Sequence, residues 1–294
     1  MRKKWKLLVV GILMVLSACS QNEPAKDQTP QDKTVHKEVK KETLPKIDHI
    51  LIVVEENHSK SQIANNSSAP YMNSLMDQGA NFTNYRAIQH PSQPNYLALF
   101  SGSNQGVTDD SMPSSKFSTD NLASELIKKN YSFIGYSEGL PTVGYNKEYA
   151  GDSYARKHNP WTNFTNVPKE ANQPLDHFPK DFSKLPTVSF VIPDLDHDMH
   201  DGTIQEADQW LKATIDPYVQ WAKTHNSLLI VTWDEDEGSD KNIIPTFMVG
   251  PMVKKGQYSD AVNHYSLLRT VEDIYGLPHA GKAKTSKAIT GIWK

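Results

Sequence analysis

The stretch His49-Ile50-Leu51-Ile52-Val53-Val54-Glu55-Glu56-Asn57-His58 decides the fold. From Ile50 to Val54 it is a continuous, largely β-branched apolar run, the mark of a strand buried on both faces. Glu55 to His58 then follow without a break, all of them polar. Ligands of open α/β sheets bind beyond the carboxyl ends of the strands. A buried strand with such a tail therefore predicts both the sheet and the edge where the chemistry lies.

The pattern repeats outward from this strand. Pro70–Gln78 reads as a helix, with proline in its first turn and Gly79 just past its end. A helix near Thr119–Lys129 precedes a strand at Tyr131–Tyr136, and a strand at Thr187–Ile192 precedes helical segments at Ile204–Thr214 and Pro217–Thr224. Ser227–Trp233 and Thr246–Val249 read as strands, and Tyr265–Tyr275 as a helix closed by Gly276 and Pro278. Strands alternating with helices predict an α/β domain with a mostly parallel central sheet flanked by helices. Residues 137–186, rich in Gly, Pro, Asn and Tyr, read as long loops or an insertion near the site. No internal repeat is present.

The domain begins at Ile47 and is expected to fill residues 47–294. Before it, Arg2, Lys3, Lys4 and Lys6 lead into the apolar run Leu7–Leu16 and then Leu16-Ser17-Ala18-Cys19. A basic start, a short apolar run and small residues before a cut describe a secretory signal, here residues 1–18. Cys19 is the only cysteine, and its surroundings resemble a bacterial lipobox, which implies lipidation after cleavage and an anchor on the outer face of the bacterial cell membrane. Residues 19–46, poor in apolar side chains, then form a flexible tether. Loss of residues 1–18 leaves 27 basic against 34 acidic residues, so the 31 and 34 of the whole chain become a net charge of −7. Steering toward nucleic acid is not expected of such a surface, and membrane contact is expected through the anchor only.

Four strand ends carry dense polar groups: Glu55 to His58; His90-Pro91-Ser92-Gln93-Pro94-Asn95; Asp194 to Asp201 after the 187–192 strand; and Asp234 to Gly238. Crowded carboxylates repel, and a divalent cation relieves the conflict. Asp194, Asp196 and Asp198 have the alternate spacing that opens a calcium loop, but Met199 and Gln205 stand where that loop needs Gly and Glu. A metal must therefore be gathered from separate strand ends. Ser92 opens an apolar segment running to Gly102, so it sits either as a helix cap or as a nucleophile at a helix N-terminus suited to a phosphate oxyanion.

In this order the segments resemble the acid phosphatase / phospholipase C family of phosphoesterases, itself similar to the alkaline phosphatase superfamily. The resemblance rests on Glu55-Glu56-Asn57-His58, His90-Pro91-Ser92-Gln93-Pro94-Asn95, Lys157-His158-Asn159-Pro160-Trp161, Asp198-Met199-His200-Asp201, Asp234-Glu235 and Asn263-His264-Tyr265. It implies an alkaline-phosphatase-like fold, a divalent metal held by Glu56, Asn57, Asp234 and Glu235, and Ser92 as nucleophile. It further implies His158, His200 and His264 as catalytic groups, with His90 and Asn95 binding substrate. Glu235 stands where some relatives have Asp.

The expected activity is hydrolysis of phosphate monoesters through a phosphoserine, with a small-molecule or lipid substrate. Phospholipase C or phosphodiesterase action is the second reading, and a non-catalytic phosphate- or metal-binding lipoprotein the third.

Overall fold

The computed structural model describes residues 43–238 and 241–294. The expectations for the signal, Cys19 and most of the tether lie outside the described residues.

The central sheet has eight strands: β1 (His49–Glu55), β2 (Ala80–Phe82), β3 (Phe133–Ser137), β4 (Asn172–Pro174), β5 (Val188–Ile192), β6 (Ser227–Trp233), β7 (Thr246–Val249) and β8 (Gly256–Tyr258). Their spatial order is β8-β2-β7-β6-β1-β5-β3-β4. All neighbours pair in parallel except β7, which runs antiparallel to both β6 and β2. Ile50 to Val54 are buried without exception, as a strand covered on both faces requires. Burying each large side chain there contributes roughly 1.5–3 kcal/mol before the ordering cost.

Register carries the fold into the site. Val53 lies opposite both Val191 and Val231, and Glu55 opposite Trp233. Strands β1, β5 and β6 therefore finish side by side, and Glu56 and Asp234, the next residues out, become neighbours. Two backbone bonds fix this edge: Glu56 N–H donates to the Asp198 carbonyl at 2.9 Å, and Asp234 N–H to the Glu55 carbonyl at 2.9 Å.

Besides the single turn Lys60–Ile63, the helices are α1 (Pro70–Gln78), α2 (Ser92–Ser101), α3 (Leu122–Lys128), α4 (Ile204–Ala222) and α5 (His264–Ile274). Helix α1 packs on α4, and α2 on α5. All ten residues of α2 are buried, so it is a core helix rather than a surface one. It ends at Gly102, at φ 67°, where a β-carbon would also lie 2.3 Å from the Ala280 carbonyl oxygen. Both facts demand glycine.

Three expectations change. Ile204–Ala222 is one helix of 19 residues with Pro217 inside it, not two segments. Ile215, Tyr218, Val219 and Ala222 continue the buried stripe of Ala207, Trp210 and Leu211 at helical spacing, and burial along that face outweighs the missing hydrogen bond. Strand β3 starts at Phe133 rather than Tyr131, because the Tyr131 N–H closes the turn after α3 on the Leu126 carbonyl. The 137–186 region is built rather than loose: it supplies β4, a short ribbon pairing Tyr149–Ala150 with Tyr154–Ala155, and several 3-10 turns.

One of those turns seats a motif. Trp161 lies directly on Gly135 of β3, where a β-carbon would come within 2.1 Å of its ring, and its Nε1 donates to Asn172 Oδ1 at 2.8 Å. This anchors the 156–163 segment, and with it His158, over the sheet.

Candidate active site

Ser92 is the first residue of α2 rather than its cap, and its side chain makes no capping bond. Its hydroxyl instead donates to Glu56 Oε2 at 3.0 Å and faces Glu235 Oε1 at 3.3 Å. Between the two readings of Ser92, the geometry rejects the helix cap. The amide of Gln93, one residue on, is already taken by Asp110 Oδ1 at 2.9 Å, so the helix end meets a carboxylate before any substrate arrives.

Around this hydroxyl Glu56, Asp234 and Glu235 converge, all buried. The Asn57 amide N–H donates to Asp234 Oδ1 at 3.2 Å, and its side-chain Nδ2 to Glu56 Oε2 at 3.1 Å. Asn57 holds a left-handed backbone, φ 51°, which turns the chain back over the strand end. Burial, then the charges of Glu56 and Glu235, push the Asp234 carboxyl well above its ordinary range. Burial, then Glu56 and Asp110, push Glu235 up to about 8.

His158 is buried beside them, its Nε2 3.0 Å from Glu56 Oε1 and its Nδ1 3.2 Å from Asp198 Oδ2. Burial lowers its pKa to about 4, so the ring is neutral. Tyr96 stacks on it with ring centroids 4.9 Å apart. Among the described residues, the buried atoms Glu56 Oε1, His158 Nε2, Asp198 Oδ2 and Asp234 Oδ2 lack a hydrogen-bond partner. Bare lone pairs facing one another are costly to bury, and the donor set, carboxylate and neutral imidazole, fits a divalent cation.

The remaining expected residues fall into three places. His200 stands half-exposed at the rim, its ring centroid 6.2 Å from that of His158 and its Nδ1 2.7 Å from Asp201. His90 is also part-exposed, with Nδ1 3.0 Å from Glu235 and Nε2 3.3 Å from Asp236. Asn95 spends its amide on the protein: Oδ1 accepts from the Ile88 and Gln89 amides, and Nδ2 donates to Gln89 and Pro91 carbonyls and to Glu235. It positions Glu235 and the 88–91 loop rather than meeting substrate. His264 is fully buried, with Nε2 on the Asp234 carbonyl at 2.8 Å and Nδ1 on the Tyr85 hydroxyl at 3.2 Å. The catalytic place expected for it does not fit, because both ring nitrogens are engaged behind the site.

Sequence reasoning missed two participants. Asp198 was placed in a motif but not beside His158. Lys157, the neighbour of His158, sends Nζ to Asp110 at 3.0 Å and lies 3.3 Å from His200 Nε2. Burial lowers its pKa, but Glu56, Asp110 and Asp234 outweigh burial and leave it raised, a firmly charged ammonium facing an acidic site. Its adjacency to a motif histidine was the one available signal.

The Asp194, Asp196 and Asp198 run scatters as its failed calcium-loop spacing requires. Asp194 joins His197 and Glu138 in a closed hydrogen-bonded group, Asp196 is exposed, and Asp198 is buried at the site.

The phosphoesterase family model matches residues 62–278, nearly all of the region that carries these groups. The chain belongs to the phosphoesterase family. It is 50% identical over 252 residues to a phosphatidylinositol-3-phosphatase of Mycobacterium tuberculosis, covering 85% of this chain and 84% of that protein. It is 33% identical to a probable acid phosphatase of Kluyveromyces lactis and 32% identical to a phosphate-repressible acid phosphatase of Penicillium chrysogenum, over 79% and 72% of this chain. The chain spans only 59% and 55% of those two fungal proteins. Among solved structures, an alkaline phosphatase superfamily protein of Vibrio parahaemolyticus matches with a TM-score of 0.58 at 13% identity, over 84% of this chain and 72% of that one. The phosphonate monoester hydrolase of Agrobacterium radiobacter matches at 0.53 and 12%, over 84% and 79%. At such identities the likeness is one of fold, and this phosphoesterase has the alkaline-phosphatase-like α/β architecture expected of it. It is a phosphoric ester hydrolase.

Proposed function

We propose that the chain hydrolyses phosphate monoesters by attack of Ser92 on phosphorus, with a divalent ion held by Glu56, Asn57, Asp234 and Glu235. The observation that carries this reading is the Ser92 hydroxyl, buried between two carboxylates and 3.0 Å from the nearer one. A bound ion would lower the pKa of that hydroxyl and polarise a phosphoryl oxygen.

The residues divide the work. Glu56 or Glu235 accepts the Ser92 proton as Oγ bonds to phosphorus and the ester P–O bond breaks. His200, open to the cleft, gives a proton to the departing alcohol and takes one from the water that later cleaves phosphoserine. Lys157 meets the phosphate's negative charge, and His90 stands at the mouth. His158, neutral and buried, acts on the metal side rather than on the leaving group.

The identity to a protein named for a phosphoinositide supports a phosphorylated lipid headgroup as substrate, and the acid-phosphatase relatives support small soluble monoesters. Diester cleavage has no observation in its favour. Cleavage before Cys19 and a lipid anchor on the outer face of the cell membrane complete the proposal. Cys19→Ser should release the protein from the membrane fraction.

A substrate panel tests the chemistry. p-Nitrophenyl phosphate and a phosphatidylinositol monophosphate should turn over, and bis(p-nitrophenyl) phosphate should not. Ser92→Ala should lower kcat by at least about a thousandfold. Undiminished turnover by that variant, or preference for the diester, would sink the proposal.

A further inference from the structure

We infer that the rim of the cleft docks on a lipid bilayer, with Met112, Val143 and Tyr149 entering the headgroup layer around the mouth of the site. This rests on the lipid-headgroup reading of the substrate above. It adds a membrane contact made by the folded domain itself, besides the one expected at Cys19.

Among the described residues, Met112, Ile127, Tyr131, Val143 and Tyr149 are the exposed large apolar side chains. Ile127 and Tyr131 stand at the turn from α3 into β3, at the amino end of that strand. The other three are tied to the cleft. Gln93 pins the 109–111 loop to the start of α2: its amide donates to Asp110 Oδ1 at 2.9 Å, and its Nε2 to the Asp109 and Ser111 carbonyls at 3.0 and 2.8 Å. Met112 is the next residue out. Asp110 also meets Lys157 Nζ at 3.0 Å, and Ala155, just before Arg156 and Lys157, pairs with Tyr149 across the short ribbon. Met112 and Tyr149 therefore both project from the neighbourhood of one ion pair at the mouth. Val143 lies in the turn that the Tyr145 N–H closes on the Thr142 carbonyl, and the Tyr145 hydroxyl donates to the Tyr149 carbonyl at 2.7 Å. Lys116, Gly144 and Asn146 line one small cavity, which brings the two loops together.

The position of the reacting group asks for such a contact. A phosphorylated lipid stays in its bilayer, and the Ser92 hydroxyl is buried beneath the rim, so the bilayer must come to the mouth. The rim has the chemistry to meet it. Segments 111–118 and 139–147, which carry Met112 and Val143, hold Lys116 and Lys147 and no carboxylate, in a chain whose acids outnumber its bases. Lysine stems lie along an apolar layer while their ammonium groups reach lipid phosphates, and tyrosine favours the boundary between acyl chains and water. Glu148 and Asp152, exposed on the ribbon, offset part of that charge. Burial of the apolar tips, more than attraction to anionic lipid, therefore carries the contact, and it should persist in high salt.

The test uses the full chain with Cys19→Ser, which removes both the anchor and the only cysteine. Met112→Cys, Tyr149→Cys or, at the far edge, Ile127→Cys then carries an environment-sensitive fluorophore. The probe is a vesicle of phosphatidylcholine with a phosphatidylinositol monophosphate and a nitroxide-labelled lipid. Labels at 112 and 149 should shift to the blue and be quenched, and the label at 127 should not. Equal quenching at all three positions, or none at 112 and 149, overturns the docking surface. A blue shift without vesicles that grows with protein concentration overturns it in favour of a second copy of the chain. In a second arm, Met112→Ser, Val143→Ser and Tyr149→Ser combined should lower kcat/KM on the vesicle lipid at least about tenfold. Turnover of p-nitrophenyl phosphate and of a short-chain, monomeric form of the same lipid should stay at the wild-type rate. Ile127→Ser should change neither. Hydrolysis of the short-chain lipid with unquenched rim labels overturns the docking and leaves the substrate reading standing. Quenched rim labels with no hydrolysis of either lipid form overturn the substrate reading and leave the docking standing.

Discussion

His264 Nε2 lies 2.8 Å from the main-chain oxygen of Asp234, while its Nδ1 faces the Tyr85 hydroxyl at 3.2 Å. A neutral ring can donate at one nitrogen and accept at the other, and burial keeps this one neutral by lowering its pKa to about 4. The histidine thus ties α5 to the end of β6 and sets where Asp234 stands. His264→Ala should cost about 2–4 kcal/mol, the penalty of two buried polar groups left without partners. Because His264 does not reach the cleft, the pH profile of kcat should keep its shape, while the ion concentration needed for half-activity rises. Thermal melts and metal titrations check this.

Lys157 should act on substrate affinity rather than on the chemical step. Removing a charge-assisted contact costs about 1.5–3 kcal/mol, so Lys157→Ala should raise KM for a phosphomonoester about ten- to a hundredfold. Competitive inhibition by inorganic phosphate should weaken in parallel. Lys157→Arg should recover part of both.

Gly135→Ala probes the seat of Trp161. The added carbon would occupy the ring's place, and the indole must shift, taking the 156–163 segment with it. A loss of about 1–3 kcal/mol in stability is expected, with activity falling further than stability because His158 moves. Urea melts beside kcat at saturating ion separate the two effects.

Glu272 offers a pH test away from the proposed metal site. Its Oε1 accepts from the Ala280 amide, its Oε2 has no hydrogen-bond partner among the described residues, and burial pushes its pKa up to about 8. A carboxyl with a raised folded pKa binds its proton more tightly when folded. Its contribution is therefore present at low pH and lost as pH rises from the unfolded value near 4.5 to about 8. The loss is on the order of 1.4 kcal/mol per pH unit at most. Glu272→Gln should flatten the decline of stability over that window and raise stability at pH 8. Denaturation at several pH values checks it.

Five strands were legible because they are largely apolar runs, whereas Ala80–Phe82, Asn172–Pro174 and Gly256–Tyr258, three residues each and partly polar, were not. Glu56, Asp234, Glu235 and Ser92 were legible because they follow or flank apolar runs directly. The pairing of His158 with Asp198 was not. Forty residues separate them, and what joins them is the bond from Glu56 N–H to the Asp198 carbonyl and the seating of Trp161 on Gly135. Lys157 stood in a quoted motif but its type and spacing gave it no role, and Asp110 carried no spacing signal at all. His264 misled because a histidine opening a helix reads alike whether its ring points into a cleft or down onto a strand. Pro217 misled because the local penalty was weighed without the buried stripe that overrides it.

The helix that begins at Ser92 has no face open to water. Surface substitutions therefore have no route to it except through the loops that ring the cleft, and those loops are where the 137–186 region enters. The Ser92 hydroxyl, the attacking group of the proposed reaction, and the loops around the cleft are thus held by different parts of the chain. On the proposed reaction, selection can rework those loops while Ser92 stays where the core has put it.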